Sequence, residues 1–208
     1  LQKEKVRKEK KQNILSTIGI ETDRDSAEEL FNKHITKQLA LNSNGEEKDN
    51  VVAFDVDLAK ELSKPESEQT FPMYIANYEG SEYYIAPLRG NGLWDAIWGY
   101  IALKNDANTV KGVVFDHKGE TAGLGAEITT DWFQERFVDE KVFNTSGELV
   151  GVNVVKGYSG GNAKDDNKVD SISGATITSD GVSEMIEKRL KNYLPYFKKQ
   201  QEIKVVTR

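Results

Sequence analysis

Apolar positions recur along this chain with two different periods, and the change between them divides it. Residues 3–18 are strongly charged and end in NILSTIGI, where Ile14, Leu15 and Ile18 follow helical spacing and Gly19 is a stop. DRDSAEELFNKHITKQLAL (23–41) keeps the helical period. Asp25 or Ser26 can cap it, Glu28 and Glu29 sit in its first turn, and Leu30, Phe31, His34, Ile35, Gln38 and Leu39 share a face. His34 on that face reads as a packed or half-exposed residue rather than a ligand. NSNGEEKDN (42–50) is then a polar linker.

Past residue 50 the period shortens. VVAFDV (51–56), MYIANY (73–78), EYYIAPL (82–88), YIALK (100–104), VKGVVFDH (110–117) and LVGVNVVKG (149–157) are short, β-branched or aromatic, and punctuated by glycine or charged turns. That pattern predicts strands. TDWFQERF (130–137) has a helical start with Thr130 or Asp131 as cap. SDGVSEMIEKRLKNYLPYF (179–197) puts Val182, Met185, Ile186, Leu190, Tyr193 and Phe197 on one stripe, with a kink or an end expected near Pro195. No internal repeat is visible. Short strands with helices at the ends predict an α+β fold: residues 1–45 as an N-terminal helical segment, and 46–208 as a strand-rich domain with a C-terminal helix.

Composition narrows the function. At 208 residues, 38% hydrophobic and 9% aromatic, the chain can bury a core and is not of disordered type. Its net charge of −6 argues against nucleic-acid binding, which needs a basic footprint. The charge is uneven: LQKEKVRKEKKQ (1–12) holds six basic and two acidic residues, so the rest carries −10. Such a segment is either a solvated helix or one lying beside a membrane or an acidic partner. No apolar run reaches the roughly eighteen residues of a spanning helix; LWDAIWGYIAL (93–103) is shorter and contains Asp95. The chain opens on Leu1, as expected of a processed or trimmed form with an anchor or signal upstream.

Several chemistries are excluded. Without cysteine there is no disulfide, thiolate metal site or thiol nucleophile. The two histidines, His34 and His117, stand in no metal-binding pattern, so no metal site is expected. No serine sits in a G-x-S-x-G elbow, and no catalytic residue is assigned. RGNGLWD (89–95) has Asp95 where a dinucleotide fingerprint needs its third glycine. DDNKVD (165–170) lacks the glycine and glutamate of a calcium loop and reads as a solvated loop. GETAGLGAE (119–127) carries Gly119, Gly123 and Gly125, so its backbone can turn tightly as a plain strand connection or approach a flat ligand closely.

DSISGATITSDG (170–181) remains. It can be a turn at Gly174 followed by a helix capped by Thr178, Ser179 or Asp180. The same geometry can receive a phosphate, because a helix N-terminus presents free N–H groups. Ser173, Gly174 and Ala175 then leave room, and Thr176 supplies a hydroxyl.

DSISGAT (170–176) also resembles the flavinylation motif D-x-x-[ST]-G-A-T of the FMN-binding domain family, with Asp170, Ser173, Gly174, Ala175 and Thr176 matching. GNGLWDAIWGYIAL, GETAGLGAE and KKQNILSTIGI are similar to segments of the NqrC family of Na+-translocating NADH:quinone reductases, with Ala122 in place of that family's proline. The resemblance implies FMN joined through a phosphoester to Thr176, by a flavin transferase that uses FAD and releases AMP. It also implies Leu93, Trp94, Thr121 and Leu124 as walls of the isoalloxazine site, with Gly123 and Gly125 in the matching glycine loop. The implied role is electron transfer, with other membrane subunits of the same redox complex as partners. A single-pass inner-membrane anchor upstream of Leu1 would hold the domain on the extracytoplasmic, periplasmic side. The homologous flavoprotein of an Rnf-type ferredoxin:NAD+ oxidoreductase shares the attachment motif, and a cofactor-free extracytoplasmic binding module is the alternative of another class.

Overall fold

Five strands run as one antiparallel meander in the order β1 (Ile35–Leu41), β2 (Phe71–Tyr78), β3 (Ser81–Asn91), β4 (Ala96–Lys104) and β5 (Val110–His117). The computed structural model describes residues 1–206. Thr207 and Arg208, the end of the second predicted segment, lie outside the described residues. Side chains alternate across the sheet, and both faces are apolar. On one face Tyr74, Ala76, Tyr83, Ile85, Tyr100 and Ala102 pack against Ile14, Leu15 and Ile18 at the end of α1 (Gln2–Ser16) and Phe31 of α2 (Arg24–His34). On the other, Met73, Ile75, Tyr84, Leu88 and Ile101 pack against Val182, Met185, Ile186 and Tyr193 of the terminal helix. The sheet is therefore the middle of three layers.

The α+β architecture agrees with the sequence reading, and several element assignments change. Residues 35–41 are not helical: α2 stops at His34, and the chain enters β1, whose Leu39 faces Met73 of β2. Helical spacing of Phe31, Ile35 and Leu39 also fits a strand whose far end is buried, and pairing with β2 decides the outcome. The α2 cap is Asp23, which accepts the Ser26 N–H at 2.8 Å, rather than Asp25 or Ser26. Residues 51–56 form no strand. They make a single 3-10 turn (Ala53–Asp55) that buries Ala53 and Phe54 and leaves Val51 and Val52 exposed. The one-turn α3 (Leu58–Glu61) follows, capped by the Asp57 carboxylate.

Past β5 come a 3-10 turn (Gly125–Thr129), the short α4 (Asp131–Gln134) and another 3-10 turn (Glu135–Phe137). The predicted strand 149–157 shrinks to β6 (Asn153–Val155). It pairs in parallel with β7 (Lys168–Asp170), inside the stretch read as solvated loop. The last helix, α5, runs from Thr176 to Val206 and passes Pro195 without ending. Tyr193, two residues earlier, fixes it to the sheet by donating its hydroxyl to the Pro72 carbonyl at 2.6 Å.

Candidate functional site

Three loops meet at one end of the sheet. The first is the β3–β4 hairpin tip, Gly92 to Asp95, where the Gly92 N–H closes onto the Asp95 carbonyl at 2.9 Å. Leu93 and Trp94 at this tip are large apolar residues left 47% and 69% exposed. The second is the 119–125 loop after β5. There the Thr121 carbonyl accepts the N–H groups of Leu124 and Ala126, each at 3.1 Å. Gly123, at φ +76°, supplies the left-handed residue that this turn needs. Ala122, standing where the resembling family has proline, leaves that turn intact.

The third loop leads from β7 into α5. The Arg136 guanidinium donates to the carbonyls of Asp170 and Ser171 at 2.7 and 3.2 Å, holding the start of the loop. Gly174 turns at φ +76°, and a Cβ there would stand 3.0 Å from the Leu124 side chain. The helix then begins at Thr176 itself, two residues before the expected caps; the Ser179 N–H makes the first helical bond, to the Ala175 carbonyl. Thr178 and Ser179 are buried in the first turn instead of capping it. Thr176 is exposed, and the N–H groups of Thr176, Ile177 and Thr178 precede the first available helical acceptor.

Glu120 joins the three loops. One carboxylate oxygen accepts the Leu93 N–H at 2.8 Å and the Thr178 hydroxyl at 2.5 Å; the other accepts the Trp94 N–H at 3.0 Å. Burial pushes its pKa up, but the bonds from Thr178, Trp94 and Leu93 outweigh that and hold the carboxyl below the usual glutamate value. Two glycines make room for this carboxylate. A Cβ on Gly92 would lie 2.4 Å from its Oε1, and one on Gly125 would lie 2.5 Å from the Thr178 hydroxyl.

The result is a cleft of about 260 Å³ with Leu93, Trp94, Leu124 and Ile177 as apolar walls, and with Thr121, Gly125, Gly174, Ala175 and Thr176 around it. Of the predicted residues, Leu93, Trp94, Thr121, Leu124, Gly125, Gly174, Ala175 and Thr176 come together here. Gly123 shapes the loop without lining the cleft. Ser173 sits in the adjoining turn. Asp170 lines a different cavity, with Arg136, Glu140 and Tyr158. Sequence reasoning misses Glu120, Thr178 and Ile177 as site residues. The only signal for Glu120 is its place in GETAGLGAE, because its partners are 26, 27 and 58 residues away. Thr176 also borders a second, larger cleft of about 560 Å³ with Lys156, Asp180, Glu184 and Glu187.

Chemically, the arrangement is a helix N-terminus with an accessible hydroxyl beside an open slot with apolar walls. That combination suits an anionic group at Thr176 attached to a flat aromatic body. The FMN-binding domain family matches residues 92–191, a stretch that contains all three loops. A curated relative, the NqrC protein of the Na(+)-translocating NADH-quinone reductase of Haemophilus ducreyi, is 34% identical over 192 residues, covering 84% of this chain and 72% of the relative. The chain belongs to the NqrC family of Na(+)-translocating NADH-quinone reductases. Another member, from Chlamydia muridarum, is 42% identical over 126 residues, 55% of this chain and 40% of that one. The crystal structure of the Parabacteroides distasonis member superposes with a TM-score of 0.85 at 40% identity, covering 94% of each chain. As a member of this family the chain is one subunit of an oxidoreductase complex and carries an FMN-binding domain. Among the described residues no helix is long and apolar enough to cross a membrane, and no cluster of side chains is suited to a metal ion.

Proposed function

We propose that this NqrC-family chain is an electron carrier whose FMN is esterified to the Thr176 hydroxyl. The observation that carries this reading is the position of Thr176: first residue of α5, exposed, and on the rim of the Leu93–Trp94–Leu124 cleft. The flavin would supply the redox chemistry; the protein would supply attachment, orientation and surroundings. Attachment is a phosphoryl-group transfer. A bond forms between the Thr176 oxygen and the FMN phosphorus of FAD, the pyrophosphate bond breaks, AMP leaves, and the hydroxyl proton is released to the flavin transferase.

The phosphodiester keeps one negative charge, which the N–H groups at the start of α5 are oriented to meet. Leu93, Trp94, Thr121 and Leu124 would flank the ring. Their exposure fits a carrier, because a ring left open at one edge can approach a donor and an acceptor. Covalent attachment keeps the carrier loaded whatever the free FMN concentration, which a reversible site cannot do.

The same reading places the domain on the extracytoplasmic side of the membrane, beside the other subunits, with an anchor before α1. The basic face of α1 is only partly available for a membrane. Arg7 pairs with Asp55 at 2.6 Å, Lys10 donates to the Phe54 carbonyl at 2.5 Å, and Lys11 lies 3.5 Å from Glu28. These contacts dock α1 on the domain. The test is Thr176→Val in protein co-produced with a flavin transferase: flavin fluorescence in the protein band should survive denaturing electrophoresis in the parent and vanish in the variant. A fluorescent variant band rules out Thr176.

A further inference from the structure

We infer that Glu120 is the positioning residue of this site: its carboxylate assembles the cleft before any cofactor arrives and places one fixed negative charge in its wall. The inference rests on the flavin reading above for the effect of the charge, but not for the assembly.

Two of the three loops lack an acceptor that Glu120, on the third, provides. The hairpin tip has two backbone donors, Leu93 and Trp94, that need an acceptor, and the carboxylate takes both. The first turn of α5 buries the Thr178 hydroxyl, and the same carboxylate accepts it at 2.5 Å. Glu120 itself is held from behind, its own N–H donating to the His117 ring at 3.0 Å. One side chain thus couples the aromatic wall at Trp94, the 119–125 loop and the helix that carries Thr176. Gly92 and Gly125 are glycines at the two points where a Cβ would strike this carboxylate or its Thr178 partner.

Glu120 also lines the cleft. A carboxylate there disfavours added negative charge on a bound ring and so lowers the potential at which that ring accepts electrons. Thr178, in the first turn of the helix, is the second member of the device, because its hydroxyl brings the α5 start onto the carboxylate.

The test uses the full 208-residue chain and two variants. Glu120→Leu removes both acceptor oxygens, and Glu120→Gln keeps the shape and one oxygen but removes the charge. In cofactor-free protein, hydrogen exchange at the Leu93 and Trp94 amides should rise about tenfold or more in Glu120→Leu, with β4 amides near Ile101 unchanged. It should rise at only one of the two amides in Glu120→Gln. If Glu120→Leu loosens the whole chain, the Gln variant decides, and parent-like exchange at both amides there overturns the assembly role. In FMN-loaded protein, Glu120→Gln should raise the flavin midpoint potential; an unchanged or lowered potential overturns the charge role. Parent protein that never acquires flavin would defeat the flavin reading instead, and the exchange result would stand apart from it.

Discussion

Two glutamates buried in loops of this protein meet opposite fates. Glu120, 7% exposed, has three donors aimed at its carboxylate, and its pKa is held below the usual value. Glu140, 1% exposed, has the Lys164 ammonium 3.5 Å from one oxygen and, among the described residues, no hydrogen-bond partner for the other. Burial pushes its pKa up to about 7; the Lys164 charge opposes this, and nearby Asp166 adds to it. Burial alone therefore does not decide whether a carboxylate is an asset. The number of donors that the fold brings to it does. Donors converge where three loops must be held as a unit, at the end of the sheet that carries Thr176. Around Glu140, beside the 156–167 stretch with its three glycines, they do not.

The contrast can be broken most strongly at Glu120. Glu120→Ala leaves two backbone donors and the Thr178 hydroxyl without their acceptor, and should cost about 3 kcal/mol in chemical denaturation. Thr178→Val removes one charge-assisted bond with little change in shape and should cost about 2 kcal/mol by the same measurement. Two such losses share one carboxylate, so the double variant should cost less than their sum.

The pH dependence sharpens the contrast because the signs differ. Glu120, lowered in the folded state, contributes stability that is present above the ordinary carboxylate value of 4.5 and is lost as pH falls through its folded pKa. Glu140, raised, binds its proton more tightly in the folded state, so stability falls as pH climbs from 4.5 to about 7. Glu140→Gln should therefore melt with the parent at acid pH and a few degrees above it at pH 8, read by thermal melts across the range. Equal melting at both ends would mean that Glu140 is compensated in solution.

How far these features are legible in the sequence follows from the range of the contacts involved. β5 is readable at its observed bounds, 110–117, because Val110, Val113, Val114 and Phe115 carry a strand signal without outside help. The 35–41 stretch misleads because its spacing satisfies a helix as well, and only β2 breaks the tie. At the site, Leu93, Trp94, Leu124 and Thr176 are legible through resemblance to family segments. Periodicity alone leaves them as a turn, a glycine loop and a helix cap. Asp170 belongs to the same motif yet lies outside the cleft, with its carbonyl bound by Arg136. Glu120 stays invisible because its meaning consists of three contacts that no local window contains.

The proposed carrier depends on the bond at Thr176, which intact mass spectrometry of the chain co-produced with a flavin transferase reads without intermediate steps. The expected result is a mass increase of one FMN less one water, located by peptide mapping to Thr176 and absent in Thr176→Val. An unmodified parent mass under conditions where the transferase loads another acceptor, or an increase that maps to a different residue, would contradict it.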